Sequence, residues 1–239
     1  MRCIVVVPTY NENDNVEKMI EAVLALPDNF DILVVDDNSP DGTADLVAPY
    51  CAKSDRVHLI RRTGPRGFGP SYIEGFEQVI AKGYDAIFSM DCDFSHNPAD
   101  LPRLAEALDD SDIAVACRYY QGRVSVVNWP IHRLLISLFA GKYVRAITGL
   151  RISDPTSGFR GFRAKAMAAI SLDTVKSNGY SFLVETLYRA KRCGFTMQEV
   201  PIVFTERRDG QSKMSKKIMF EAALMPWRLR FSGFRGCSK

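Results

Sequence analysis

No two cysteines in this chain stand two residues apart, and the six present (Cys3, Cys51, Cys92, Cys117, Cys193, Cys237) are widely spaced, with no nearby histidine pattern. That spacing excludes the usual structural zinc arrangements and favours reduced thiols in a cytosolic protein. Long apolar runs are missing too. The longest uncharged stretch of the second half, residues 134–141, lies between Arg133 and Lys142 and falls far short of the roughly 20 residues a spanning helix requires. The chain passes at once into Cys3-Ile4-Val5-Val6-Val7 with no cleavage site, so no signal peptide and no exported precursor are expected. Net charge is small, +3, which gives no argument for nucleic acid as a partner. The glycine fingerprint of nicotinamide-binding folds does not follow the first apolar run, where Pro8-Thr9-Tyr10-Asn11-Glu12 stands instead.

What is present is enough apolar residue, 46% of 239, to fill a substantial core. The pattern alternates. Apolar strands are expected at 3–7, 32–35, 57–60, 86–90 and 113–117. Helices with apolar residues near a 3.6 period are expected at 16–26, 44–52, 71–81 and 101–108. Such alternation predicts an α/β domain with an open, mostly parallel sheet covered on both faces. Ligands of these sheets bind outside the carboxyl ends of the strands, and that edge collects Pro8 to Glu12, Asp36-Asp37, Asp91, Asp93 and Arg118.

The densest stretch is Phe88-Ser89-Met90-Asp91-Cys92-Asp93-Phe94-Ser95-His96-Asn97-Pro98. A buried strand there delivers two carboxylates to its end, oxygen ligands suited to a hard cation such as Mg²⁺ or Mn²⁺. An acidic turn after a core strand is the plain alternative. The loop Arg61-Arg62-Thr63-Gly64-Pro65-Arg66-Gly67-Phe68-Gly69-Pro70 reads as a basic loop near phosphate or as an ordinary surface loop. On residue type alone, Arg118 and Arg133 are solvated arginines, Glu12 caps the first helix, and Asp154 before Pro155 forms a turn. Glu185 pairs with Arg189 at i+4. His96 and His132 are weak metal candidates.

Taken in order, Pro8-Thr9-Tyr10-Asn11-Glu12, Asp36 to Thr43, Asp91 to Pro98, Cys117-Arg118-Tyr119, Ser153 to Arg160, Gly179-Tyr180-Ser181-Phe182, Glu199-Val200-Pro201-Ile202 and Gly210-Gln211-Ser212-Lys213 carry a resemblance. The chain resembles the inverting GT-A glycosyltransferases of family 2, and among them the dolichol-phosphate (polyprenol-phosphate) mannosyltransferase type. The resemblance implies a Rossmann-like GT-A domain over residues 1–213. It implies that Pro8, Tyr10, Glu12 and Asp37 hold the donor nucleoside, and that Asp91 and Asp93, with Ser95, bind a divalent metal and the diphosphate. Arg118, Arg133 and Ser137 match positions that hold the acceptor phosphate, and Arg207 and Lys213 match basic residues closing over the donor. Two departures stand out: Cys92 between the aspartates, and Phe68 with Pro70-Ser71 in a loop that relatives usually write Gly-Leu-Gly-Thr.

The activity implied is transfer of mannose from GDP-mannose to a polyprenyl or dolichyl phosphate. A UDP-glucose-dependent glucosyltransferase and a non-catalytic binding subunit of the same fold are the alternatives. A processive polysaccharide synthase is disfavoured, since no Q-x-x-R-W motif occurs. Residues 214–239 read as a basic amphipathic tail; from Arg207 onward nine Lys or Arg face two acids. That tail and the segment 130–148, where apolar and basic residues interleave, suit an anionic lipid surface on the cytoplasmic face of a membrane. The chain resembles the short form, without transmembrane helices, which in some organisms depends on a membrane-anchored partner subunit.

Overall fold

The computed structural model describes residues 1–27, 30–175, 177, 179–206, 216–231, 234 and 237. In chain order the first half runs β1 (Cys3–Thr9), α1 (Val16–Leu24), β2 (Phe30–Asp36), α2 (Thr43–Lys53), β3 (Val57–Arg61), α3 (Phe68–Ala81), β4 (Ala86–Ser89), α4 (Leu101–Asp110) and β5 (Ile113–Cys117). Short strands β6 (Tyr119–Tyr120), β7 (Arg123–Val124) and β8 (Val126–Val127) lead to α5 (Ile131–Thr148). Then come β9 (Arg160–Arg163), α6 (Ala164–Ala169), α7 (Tyr180–Arg192), β10 (Met197–Pro201), β11 (Phe204–Thr205) and α8 (Lys216–Phe231).

Seven strands form one sheet in the order β10-β5-β9-β4-β1-β2-β3. Every pairing is parallel except those of β9, which runs antiparallel between β4 and β5. The strands bury both faces, and alternate side chains enter two cores. Ile4, Val6, Leu33, Val35, Ile87, Ile113 and Val115 pack under α3, α5, α6, α7 and α8. Cys3, Val5, Val7, Ile32, Val34, Phe88 and Ala114 pack under α1, α2 and α4. The helix–sheet approach is close at Gly75 of α3, where an added Cβ would lie 2.7 Å from Val6 and 3.0 Å from Val35.

The expected mostly parallel α/β sheet is observed, with three differences. β1 continues through Pro8. The Val6 carbonyl accepts from Met90 N–H on the β4 side and the Thr9 carbonyl from Asp37 N–H on the β2 side. Pro8's nitrogen therefore faces β4 beyond its last paired residue, where no ladder bond is lost. α3 starts at Phe68 rather than at 71, with Gly69 and Pro70 in a first turn whose N–H groups have no helical partner. Third, not all six thiols are free: Cys193 is bonded to Cys237, leaving Cys3, Cys51, Cys92 and Cys117 reduced. The pairing follows from α8, which packs on α5 and α7 and returns the chain end to the C-terminus of α7.

Met225 and Leu229 of α8 join the core. Trp227 Nε1 donates to the Tyr143 hydroxyl, that hydroxyl donates to the Ala223 carbonyl, and Arg230 donates to the Ile147 carbonyl. The expected boundary between 213 and 214 lies outside the described residues. No helix among the described residues is long and apolar enough to cross a membrane.

Candidate active site at the carboxyl edge of the sheet

β1, β2, β3, β4 and β5 all end on one edge, and the loop before β9 reaches the same edge because β9 runs the other way. After β1, Tyr10 lies beneath the Arg66 guanidinium, 3.9 Å from the ring centroid, and accepts a hydrogen bond from it at 2.8 Å. The Glu12 carbonyl accepts from Asn15 and Val16, opening α1, and its carboxylate accepts from Asn15 Nδ2 at 2.9 Å. The N-cap of α1 is Asn15, so Glu12 closes the turn before the helix and does not itself cap it.

The two acids after β2 have separate tasks. Asp36 accepts from Thr9 Oγ1 and from both the amide and hydroxyl of Ser39, which stitches the β1 and β2 loops together. Asp37 accepts from Arg62 Nη1 and, at 2.8 Å, from the Gly67 amide. Arg62 is buried, and its Nε also donates to Glu74 at 2.9 Å. The basic loop is thereby fastened over Asp37, a role for Arg62 that the sequence did not single out.

Beyond β4, Asp91 and Asp93 are partly exposed while Cys92 between them is buried. Burial pushes the Cys92 thiol well up, and Glu12, Asp93 and Asp91 add to the effect, so these three carboxylates share one neighbourhood. Ser95 N–H donates to Asp93 Oδ1 at 3.0 Å. Phe94 takes φ +55°, the left-handed region that a bulky residue avoids, and such strain concentrates at functional turns. Among the described residues no group of three or more His, Cys, Asp or Glu could hold a metal ion unaided. Two carboxylates and a hydroxyl fit a cation of the Mg²⁺ type that takes its remaining ligands from phosphate and water.

The basic half of the edge is built around Arg118, which is 7% exposed. Its Nε and Nη2 bind the two oxygens of Asp154 at 2.6 and 2.7 Å, and its backbone amide donates to the same carboxylate. Asp154 is no ordinary turn former. Burial alone would raise its pKa, but Arg118 brings it below the usual value. Because this fork is occupied, Arg118 cannot offer that edge to the acceptor phosphate that the resemblance assigns to it; Nη1 has no partner among the described residues. The Arg118 guanidinium lies 5.3–5.4 Å from the rings of Tyr119, Trp129 and Phe204.

Arg133, on α5, stacks 4.5 Å over the same Trp129 ring and pairs with Glu206. Ser137 accepts from the Tyr119 hydroxyl at 2.9 Å. Arg118, Arg133 and Ser137 thus form one cluster, joined by Trp129 and Tyr119. The Thr205 amide donates to the Ser95 carbonyl at 3.2 Å, which seats this cluster against the Asp93 turn. Buried His96 packs between Phe159 and Phe204 at 5.3 and 5.1 Å, and burial followed by the Arg118 charge lowers its pKa to about 4. It is neutral near pH 7. Glu185 pairs with Arg189 as expected, but inside the core. Arg207 and Lys213 lie outside the described residues.

An acidic and a basic half on the carboxyl edge of an α/β sheet suit transfer between two phosphorylated substrates. Glucosyl-3-phosphoglycerate synthase from Mycobacterium tuberculosis, solved with Mn²⁺ and UDP-glucose, has the same GT-A fold, with a TM-score of 0.63 at 17% identity over 95% of this chain and 76% of that one. The family model for glycosyl transferase family 2 matches residues 4–170, and the chain belongs to that family of glycosyltransferases. It is 41% identical over 224 residues to the undecaprenyl-phosphate mannosyltransferase of Micrococcus luteus, covering 94% of this chain and 92% of that protein. It is likewise 41% identical over 241 residues to the polyprenol monophosphomannose synthase of Mycolicibacterium smegmatis, covering 98% and 91%.

Proposed function

We propose that the protein transfers mannose from GDP-mannose to a polyprenyl phosphate, such as dolichyl phosphate, with inversion at the anomeric carbon. The names of the two relatives support the sugar and the acceptor class. The observation that carries the reading is the make-up of α5. Arg133 and Ser137 face the basic cluster, while Ile131, Leu135, Ile136 and Phe139 of the same helix are 54–72% exposed. A water-soluble phosphate would use only the cations. A polyprenyl phosphate uses both.

In this reading Pro8, Tyr10, Glu12 and Asp37 hold the nucleoside, and Arg207 and Lys213 close over the donor. Asp91, Asp93 and Ser95 would hold Mg²⁺ or Mn²⁺, which neutralises the leaving diphosphate when bound. The acceptor is a phosphate monoester whose second pKa is about 6, so it arrives ionised and needs no general base. Arg133 and Ser137, with the Nη1 edge of Arg118, hold its oxygens and offset the repulsion between two anionic substrates. Arg133 is available once the phosphate displaces Glu206.

The exposed side of α5 continues to Leu224, Trp227 and Phe231 of α8, with Lys142, Arg145 and Arg228 exposed among them. This supports a peripheral position on the cytoplasmic face of a membrane, with residues 214–239 as a contacting tail and a membrane-anchored subunit as a further partner. The test is a transfer assay with purified protein, Mn²⁺ or Mg²⁺ and a short polyprenyl phosphate. Lipid-linked label from GDP-mannose, abolished by EDTA, is expected. Label from UDP-glucose instead would overturn the donor, and no product from either, with or without a membrane fraction, would turn the reading to a binding subunit.

A further inference from the structure

Tyr72 of α3 is wholly buried in an aromatic cage. Its ring stacks on Phe76 and Phe182, with centroids 5.3 and 6.0 Å away, and meets Phe68 edge-on at 4.9 Å. Among the described residues its hydroxyl has no hydrogen-bond partner within the ordinary limit. A phenylalanine would fill the same cage without burying an unmatched polar atom. The oxygen is therefore worth an explanation.

Arg160 at the start of β9 is buried as completely. Nη1 donates to the Leu183 carbonyl at 2.6 Å and to Thr186 Oγ1 at 3.1 Å, and Nη2 donates to the Pro155 carbonyl at 2.8 Å. Nε has no partner. Tyr72, Arg160 and Ser89 line one small cavity of about 10 Å³, room for a single water. Burial first, then the Asp91 charge, pushes the Tyr72 phenol well above its ordinary pKa, so that carboxylate acts on the hydroxyl. The neighbouring segment is tied to the same place, because Ser89 Oγ donates to the Gly158 carbonyl at 2.7 Å and a Cβ on Gly158 would lie 3.6 Å from the Asp91 carboxylate.

We infer that Tyr72 and Arg160 are positioning residues for Asp91, linked by one internal water. Arg160 Nε–H donates to the water, the water donates to the Tyr72 oxygen, and the Tyr72 O–H donates to the Asp91 carboxylate. This chain gives each orphan donor an acceptor and each acceptor one proton. It also aims Asp91 outward, toward the open edge, as outer-shell hydrogen bonds do for metal-binding carboxylates. The inference rests on the reading of Asp91 as a metal ligand.

The experiment is a titration of the full-length protein with Mn²⁺ in the presence of GDP, followed by the electron paramagnetic resonance signal of free Mn²⁺. Asp91→Asn serves as the reference. Tyr72→Phe removes one oxygen and should keep the thermal midpoint at or above the wild-type value while weakening Mn²⁺ binding at least about tenfold. Wild-type Mn²⁺ binding by Tyr72→Phe, with binding lost in Asp91→Asn, would overturn the positioning role and leave the metal reading intact. Wild-type binding by Asp91→Asn would overturn the metal reading itself. A crystal structure supplies the second measurement: an ordered water within about 3 Å of both Tyr72 Oη and Arg160 Nε is expected, and a dry cavity would overturn the link.

Discussion

The two halves of the edge are built from the same part turned inside out. On the acidic half the acid is the outer member: the Asp37 side chain is 10% exposed and Arg62 behind it 4%. On the basic half the base is the outer member, with Arg118 9% exposed and Asp154 behind it 1%. In each case the inner partner comes from another loop and fixes the outer one. The support differs. Arg62 serves two acids, Asp37 and Glu74, and Asp37 keeps the Gly67 amide, whereas among the described residues Asp154 is the one carboxylate paired with Arg118, whose other neighbours are the uncharged Thr156 hydroxyl at 3.1 Å and three aromatic faces. A buried charge with one counterion depends on that counterion more than a charge with several contacts does.

The largest effect is therefore expected from Asp154→Ala, which leaves Arg118 buried and uncompensated: a loss of about 3–5 kcal/mol in urea denaturation. Arg62→Met should cost less, about 2–3 kcal/mol, because Asp37 retains a backbone donor and some water. Equal losses would break the comparison. The paired change Arg118→Met with Asp154→Leu removes both charges, so stability should return to within about 2 kcal/mol of wild type while transfer stays lost. Activity returning with stability would mean that Arg118 holds the fold and nothing else.

The pH dependence sharpens the same contrast. The Asp154 pKa is depressed in the fold, so its contribution is fully present above the unfolded value near pH 4 and fades as pH falls through the lower folded value. The stability difference between wild type and Asp154→Ala should then be constant from about pH 5 to 7 and shrink only below about pH 4. Shrinkage already at pH 6 would contradict the pairing. The smallest effect belongs to Arg133 and Glu206, whose side chains are 37% and 29% exposed. Glu206→Gln should change stability by less than about 1 kcal/mol and, by freeing Arg133, lower the acceptor KM with little change in kcat.

Some of this is legible before folding, and the reason is local. The runs 3–7, 32–35 and 113–117 are apolar at every position, and 86–90 at every position but Ser89, because both faces are covered, so they announce themselves, and the acids and Arg118 follow directly from where each run stops. β9 gives no such signal. Arg160-Gly161-Phe162-Arg163 is short, charged at both ends and interrupted by a glycine, and it is a central strand only because the Phe88 ring occupies the space of a Gly161 side chain; a Cβ there would lie 2.6 Å from it. The Cys193–Cys237 bond and the Arg62 clamp likewise join residues far apart in the chain, with no spacing rule to reveal them.

By itself the sequence determined the parallel core, the edge where the carboxylates gather, and through its ordered motifs the family. Those properties depend on residue type and on periods of two and 3.6, which are read within one segment. Only the tertiary structure decided which charge is used up and which is left to act: Arg118 bound to Asp154, Arg62 to Asp37, Arg133 to Glu206. The reason is physical: an ionised side chain is defined by the partner that replaces its water, and here the partner is 36, 25 and 73 residues away.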